Sequence, residues 1–175
     1  MERFDTIVVG AGPAGSATAI RLAQAGARVL LADRARFPRD KPCGGGVTGR
    51  AVRELPCSID PVVEDVVHAF EVRLRYRKRF ERRSEAPLVL MTQRRRLDAF
   101  LVEQAVAAGT DFRDGVTVEG LTMGPDGATV TVGDAQAWAP VLVGADGVNG
   151  KVARWAGLGA GMLYGIALEG NGPLR

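Results

Sequence analysis

Between residues 10 and 15 the chain reads Gly10-Ala11-Gly12-Pro13-Ala14-Gly15, and the sequence on either side leaves few ways to fold around it. Asp5 to Val9 is short, β-branched and apolar, the pattern of a strand buried on both faces. Pro13 sits where a first helical residue belongs. Ala14 to Ala25 is Ala-rich and predicts a helix, with Gly26 as its stop. Arg28 to Ala32 is a second buried strand. The first 33 residues therefore predict β-α-β, with a right-handed crossover and a parallel sheet.

The glycine spacing has a chemical reading. The first glycine permits a tight turn, the second lets backbone approach a pyrophosphate, and the third lets helix and strand pack closely. Phosphates then rest on the helix N-terminus, where free N–H groups and the helix dipole favour negative charge. Asp33 ends the second strand 18 residues after Gly15, where a carboxylate can accept the ribose hydroxyls of an adenosine. A 2′-phosphate would meet that carboxylate, which argues against NADP; Arg34 beside it weakens the argument. The bland reading is a glycine-rich turn that only connects strand to helix.

Composition removes other classes. Gly is 23 of 175 residues, too few and too irregular for collagen. Two cysteines, Cys43 and Cys57, make neither a disulfide framework nor a zinc pattern, and a single histidine excludes a multi-His metal site. A net charge of +3 and scattered arginines give no case for nucleic-acid binding. Met1 to Asp5 has no signal-peptide character, and the apolar run Ile7 to Ile20 is too short for a bilayer span. The expected compartment is the cytoplasm.

Further along, residues 34 to 46 are a loop with two prolines and three successive glycines. Val47 to Leu55 predicts a helix ended by Pro56. From Val66 to Phe80 the period becomes two, with Val72, Leu74 and Tyr76 alternating with Arg73, Arg75 and Arg77. Leu88 to Thr92 reads as a strand, Arg94 to Ala108 as a helix, and Asp111 to Arg113 as a short strand. Val116 to Met123, Thr129 to Val132 and Ala135 to Trp138 predict a meander, with Pro125-Asp126-Gly127 as one turn. Val141 to Val143 is a buried strand, followed by Gly144-Ala145-Asp146-Gly147 and a helical Val148 to Ala156. Leu163 to Leu168 begins one more strand.

Phe37-Pro38-Arg39-Asp40-Lys41-Pro42-Cys43-Gly44-Gly45-Gly46 resembles the P-x-x-K-x-C-G-G-G pattern of the geranylgeranyl reductase family. These are FAD-dependent oxidoreductases with the p-hydroxybenzoate hydroxylase type of flavin fold. Three further segments are similar to that family in the same order. Arg94-Arg95-Arg96-Leu97-Asp98 resembles its R-x-x-F-D helix start, Gly144 to Gly147 with Arg154 its D-G motif, and Tyr164 to Glu169 a strand re-entering the substrate domain. One departure stands out: Gly150 replaces the usual Ser four residues after the Asp, which is expected to loosen the turn. Gly133-Asp134-Ala135 lies within the meander and reads as a turn, not as the family's second G-D-A segment.

The resemblance implies an α/β chain: a Rossmann-like FAD-binding domain with parallel sheet and small meander, plus the first strands of an incomplete substrate domain. It divides as 1–64, the βαβ unit and Cys-Gly loop; 65–92, first substrate-domain strands; 93–161, the remainder of the FAD-binding domain; and 162–175, where a truncated substrate domain resumes. Gly10, Gly12, Pro13, Ala14 and Gly15 would cradle the FAD pyrophosphate, with Asp33 and Arg34 at the adenosine ribose. Cys43, Gly44 and Gly45 would lie beside the isoalloxazine, Cys43 serving as a catalytic proton donor if exposed beside it, and Lys41 is a further cofactor-binding residue. Arg94 would contact the phosphate or ribityl side, and Asp146 and Gly147 the pyrophosphate. Cys57 is expected to be packing. The seven cations among Arg73, Arg75, Arg77, Lys78, Arg79, Arg82 and Arg83 read as a solvated face ahead of a seat for an anionic head group, and His68 as a member of a surface ion pair with nearby acids.

The implied activity is reduction of carbon–carbon double bonds of a polyprenyl group by hydride from reduced flavin, with NAD(P)H or a ferredoxin-like protein as electron donor. The implied partner is a small or lipid-like prenyl substrate, with peripheral membrane contact through it. Family members are more than twice this long, so the 175 residues alone are expected to bind FAD weakly and to be inactive. Two alternatives stay open at this point: an aromatic or quinone-pathway monooxygenase of the same flavin fold, and a non-catalytic dinucleotide-binding module docking on a separate second half.

Overall fold

The computed structural model describes residues 1–158, 161, 163 and 165–168. In chain order the first elements are β1 (Glu2–Arg3), β2 (Thr6–Val9), α1 (Pro13–Gln24) and β3 (Val29–Ala32). Next come β4 (Gly46–Thr48), α2 (Gly49–Glu54), a 3-10 turn over Asp60–Val62, β5 (Val63–Val67), β6 (Ala69–Leu74), β7 (Lys78–Arg83) and β8 (Val89–Thr92). Then follow α3 (Arg94–Ala107), β9 (Asp111–Arg113), β10 (Val118–Gly124), β11 (Gly127–Val132), β12 (Ala135–Ala139), β13 (Val141–Gly144) and α4 (Val152–Trp155).

Three layers result. The middle layer is a parallel sheet in the order β13-β2-β3-β9. Every residue of β2 and β3 is buried, as their unbroken apolar runs predict. Alternation then divides them between two cores. Val8, Val29 and Leu31 face α1 and α3 and pack on Ala19, Ile20, Val102 and Ala105. Ile7, Val9, Leu30 and Ala32 face the other way, onto Val118, Val130, Val132, Ala137 and Ala139 of the meander sheet β1-β12-β11-β10. This is the expected α/β architecture. A third apolar cluster, Ile59, Val62, Leu97 and Leu101, ties the antiparallel sheet β4-β8-β5 to α3.

Five local expectations change. The helix expected over Val47 to Leu55 is only Gly49–Glu54, because residues 46–48 pair with β8 and the Thr48 hydroxyl accepts the Ala51 N–H as an N-cap. The long strand expected over Val66 to Phe80 is broken into β5, β6 and β7. Its chain reverses at Arg75 and Tyr76, both at positive φ (50° and 60°), so Tyr76 sits at a hairpin tip and not on a strand face. His68 binds the Ser84 carbonyl at 3.2 Å, while Glu64 pairs with Arg96 and Glu71 with Arg73 and Arg79, so it joins no ion pair among the described residues. No strand forms at Leu163 or residues 165–168, and Tyr164 and Glu169 lie outside the described residues.

The fifth change concerns Gly150. The helix expected over Val148 to Ala156 starts only at Val152, and the turn before it is tightened, not loosened. A Cβ on Gly150 would lie 2.2 Å from the Asp146 carboxylate. That carboxylate occupies the space and accepts the N–H groups of Lys151 (2.6 Å) and Val152 (3.1 Å), capping α4. The departure from Ser is thus matched by the acid itself.

Candidate nucleotide-binding site

The glycine loop lies where β2, β13 and α1 meet. Gly10 has φ +100°, and a Cβ there would lie 2.4 Å from the Ala145 carbonyl oxygen. A Cβ on Gly15 would lie 1.8 Å from the Gly10 carbonyl oxygen, so the helix can approach the strand only because this side chain is missing. Both glycines are required by the protein's own packing. Gly12 differs. Its φ is −73°, open to any residue, and nothing comes nearer to its Cβ position than 3.8 Å. The two atoms at that distance are guanidinium nitrogens, Nη2 of Arg39 and Nη2 of Arg94. Neither packing nor backbone conformation calls for glycine at 12. A group that must touch bare backbone between two cations and a helix N-terminus does.

Charge at this point is arranged by Asp98. It is wholly buried on the first turns of α3 and accepts a bidentate pair from Arg94, Nε to Oδ1 and Nη2 to Oδ2, both at 2.8 Å. Arg39 reaches the same Oδ2 at 3.1 Å. The Arg94 guanidinium is pushed above its ordinary pKa, first by the hydrogen bond to Asp98 and to a smaller extent by the Cys43 thiol, against the opposing effect of burial. One carboxylate thus holds two guanidiniums, leaving one formal positive charge at Gly12. Helix α1 adds to it, since Gly12 caps its start with no side chain on the first-turn N–H groups. The residues present fit a pyrophosphate.

Beside the glycine loop is a cleft of about 390 Å³ bounded by Gly10, Asp33, Arg34, Val116, Val118 and Trp155. Asp33 accepts the Ala11 N–H on Oδ2 (2.8 Å) and the Ala35 N–H on Oδ1 (2.9 Å), which fixes the carboxylate across the cleft floor. Its own carbonyl accepts the Val116 N–H at 3.1 Å and brings the Val116–Val118 segment over it. Val116, Val118 and Trp155 had no signal in the sequence: they are ordinary meander and helix residues that tertiary packing carries here.

The Cys-Gly loop lies at the start of α3. Gly45 is buried at φ +75°, and a Cβ there would strike the Thr92 carbonyl oxygen at 1.9 Å. Thr92 donates its N–H (2.9 Å) and hydroxyl (3.0 Å) to the Gly45 carbonyl. The pinned glycine leaves Cys43 and Gly44 exposed beside Arg94, and nothing approaches the Gly44 Cβ position within 4 Å. Cys57 is half-buried between two cores, and burial raises its thiol pKa, as a packing residue requires.

Of the residues expected at the site, Gly10, Asp33, Arg34 and Asp146 line the cleft, while Arg94 stands 3.8 Å from the Cβ position of Gly12, at the head of the helix that carries Pro13, Ala14 and Gly15. Cys43 lies against Arg94, and Gly45 is pinned by Thr92. Gly147, at φ +81°, forms the turn after Asp146. Lys41 is exposed and pairs with no acid among the described residues. Arg39 was not singled out beforehand; it stood inside the motif as a variable position.

Residues 3–162 match the FAD binding domain family. An uncharacterized protein of Methanosarcina barkeri is 33% identical over 99% of this chain and 45% of its own length. Geranylgeranyl diphosphate reductase of Rhodobacter capsulatus is 34% identical over 86% of this chain and 39% of its own. Menaquinone reductase of Mycobacterium tuberculosis is 67% identical over 54 residues, 31% of this chain and 13% of its own. Among solved structures, a geranylgeranyl bacteriochlorophyll reductase-like protein of Thermoplasma acidophilum superposes with TM-score 0.82 at 24% identity, over 94% of this chain and 44% of the other. The chain spans less than half the length of these relatives. With its three-layer fold and glycine groove, the chain belongs to the FAD binding domain family.

Proposed function

We propose that this chain holds FAD for a reductase acting on the carbon–carbon double bonds of a polyprenyl group. The observation that carries the reading is the pairing of two bare-backbone sites: Gly12 between two guanidiniums, and the exposed Cys43-Gly44 step on the pinned Gly45. The first suits a pyrophosphate. The second suits a flat ring that needs backbone without side chains. When bound and reduced, the flavin supplies hydride. The chain's part is to hold the phosphates through α1, Arg94 and the Asp98 network, to orient the ribose through Asp33, and to present the exposed Cys43 side chain beside Arg94.

Two relatives support the substrate class. One is named for a geranylgeranyl compound and the other for menaquinone, which also carries a polyprenyl chain. NAD(P)H as electron donor, a cytoplasmic location and membrane contact through the prenyl substrate belong to the same proposal. Turnover calls for the further length that the relatives carry. The test has two parts. Titration of the chain with FAD, read by flavin fluorescence, should saturate. A protein of the relatives' length with reduced FAD, mixed anaerobically with geranylgeranyl diphosphate or menaquinone, should yield product with two added hydrogens per saturated bond. Absence of flavin binding, or a reduced flavoprotein that leaves both compounds unreacted, overturns the reading.

A further inference from the structure

We infer that Arg39 is a second cation of the pyrophosphate site, held in place for that ligand by Asp98 and Phe37. The inference rests on the FAD reading above and adds a residue to it.

Arg39 belongs to the loop before the Cys-Gly run, 55 or more residues from α3, yet its side chain is only 15% exposed. Its guanidinium lies 5.0 Å above the Phe37 ring and 3.1 Å from Asp98. Phe37 is itself anchored, edge-on to Phe112 at 5.5 Å and through its N–H to Asp114. Such a position takes a flexible, charged side chain out of water, which needs a compensating partner. Asp98 cannot be that partner alone. Arg94 already takes both of its oxygens, so Arg39 adds a positive charge to a pair that is neutral without it.

The geometry shows where the extra charge points. Nη2 of Arg94 donates to Asp98 Oδ2 at 2.8 Å, Nη2 of Arg39 pairs with the same oxygen at 3.1 Å, and both nitrogens stand 3.8 Å from the Cβ position of Gly12. Nη1 of Arg39 is buried with no hydrogen-bond partner among the described residues. Asp98 therefore works as a clamp that sets two guanidinium edges on either side of the bare backbone at the α1 N-terminus. An anion with oxygens on two phosphorus atoms can accept from both edges and from the helix at once.

The experiment compares FAD with adenosine and riboflavin, the two ends that lack the pyrophosphate, on wild type and on Arg39→Met and Arg39→Lys. Arg39→Met should weaken FAD about 10- to 100-fold, the loss of one charge-assisted contact, and leave adenosine and riboflavin unchanged. It should also flatten the salt dependence of FAD binding. Arg39→Lys keeps a cation beside Asp98 without the fork and should lose about 10-fold or less. Should the Met variant fail to fold, the Lys variant carries the test alone. The inference is overturned if the folded variants bind FAD as wild type does, or if FAD, adenosine and riboflavin weaken together, the sign of a merely structural role. Wild type that takes up no FAD overturns the cofactor reading itself, and this inference with it.

Discussion

The parallel sheet and the β6–β7 ribbon both carry large apolar residues, yet they end in opposite states. Strands β2 and β3 bury every residue, with Ile7, Leu30 and Leu31 at 0% exposure. In the ribbon, Val72 stands opposite Phe80, and Phe70 and Leu74 lie two positions to either side on the same face; they are 38%, 55%, 45% and 62% exposed. The opposite face is a ladder of ions: Glu71 and Glu81 oppose each other and pair with Arg73, Arg79 and Arg83. Pattern alone does not create a core. The parallel strands are covered on both faces by layers from the same chain, whereas no described residue buries the ribbon's apolar face. The lesson is that the nucleotide-binding region carries the stability, and the ribbon presents surface.

That contrast can be broken or sharpened in four ways. The largest effect is expected at Asp98. Removing it as Asp98→Ala leaves two half-buried guanidiniums without their acid and should cost about 3–5 kcal/mol of unfolding free energy in urea titration. A loss below about 1 kcal/mol would mean that water already compensates the cluster. Next, Leu31→Ala should cost roughly 2–5 kcal/mol, since it is fully buried in the core beneath α1 and α3. Phe80→Ala in the ribbon should cost no more than about 0.5 kcal/mol in the same assay. Comparable losses at the two positions would show that the ribbon is covered in solution.

Smaller still is the ion ladder. Glu71→Gln removes the acid shared by Arg73 and Arg79, and with partners 56% and 60% exposed it should change stability by less than about 1 kcal/mol. Even that difference should vanish at about 1 M salt, where screening acts within about 3 Å. Finally, the two thiols should separate by rate. Burial raises the Cys57 pKa, so less of it is thiolate at a given pH, and it is less accessible. Iodoacetamide at mildly alkaline pH should label Cys43 first, and denaturant should bring the two rates together. Equal rates in the native protein would contradict the pinned Cys-Gly loop as described.

Much of the site was legible because its chemistry is local. Gly10 to Gly15 are consecutive, Asp33 follows at the end of the next strand, and Gly45 belongs to a short recognisable run. The hairpin tip was not legible, because Arg75 and Tyr76 adopt positive φ without the Gly or Asn that usually announces it. The consequence of Gly150 is hidden for a related reason: only the folded chain brings the Asp146 carboxylate into the space that a side chain would take.

From sequence alone came the β-α-β start, the glycine groove and its acidic partner, and the family likeness, all of which rest on spacings within a few tens of residues. Tertiary structure decided which glycine is free for a ligand. Gly10 and Gly15 are consumed by contacts with Ala145 and with each other's backbone, while Gly12 meets only two guanidinium nitrogens, both at 3.8 Å. It also decided that positions 12, 39, 94 and 98 share one point. Their meeting depends on a loop folding back towards α3 and on a buried carboxylate that pairs with two guanidiniums. Periodicity and propensity act between near neighbours and cannot specify such a point; burial of charge does, because a carboxylate taken out of water must be met from wherever the chain can supply a partner.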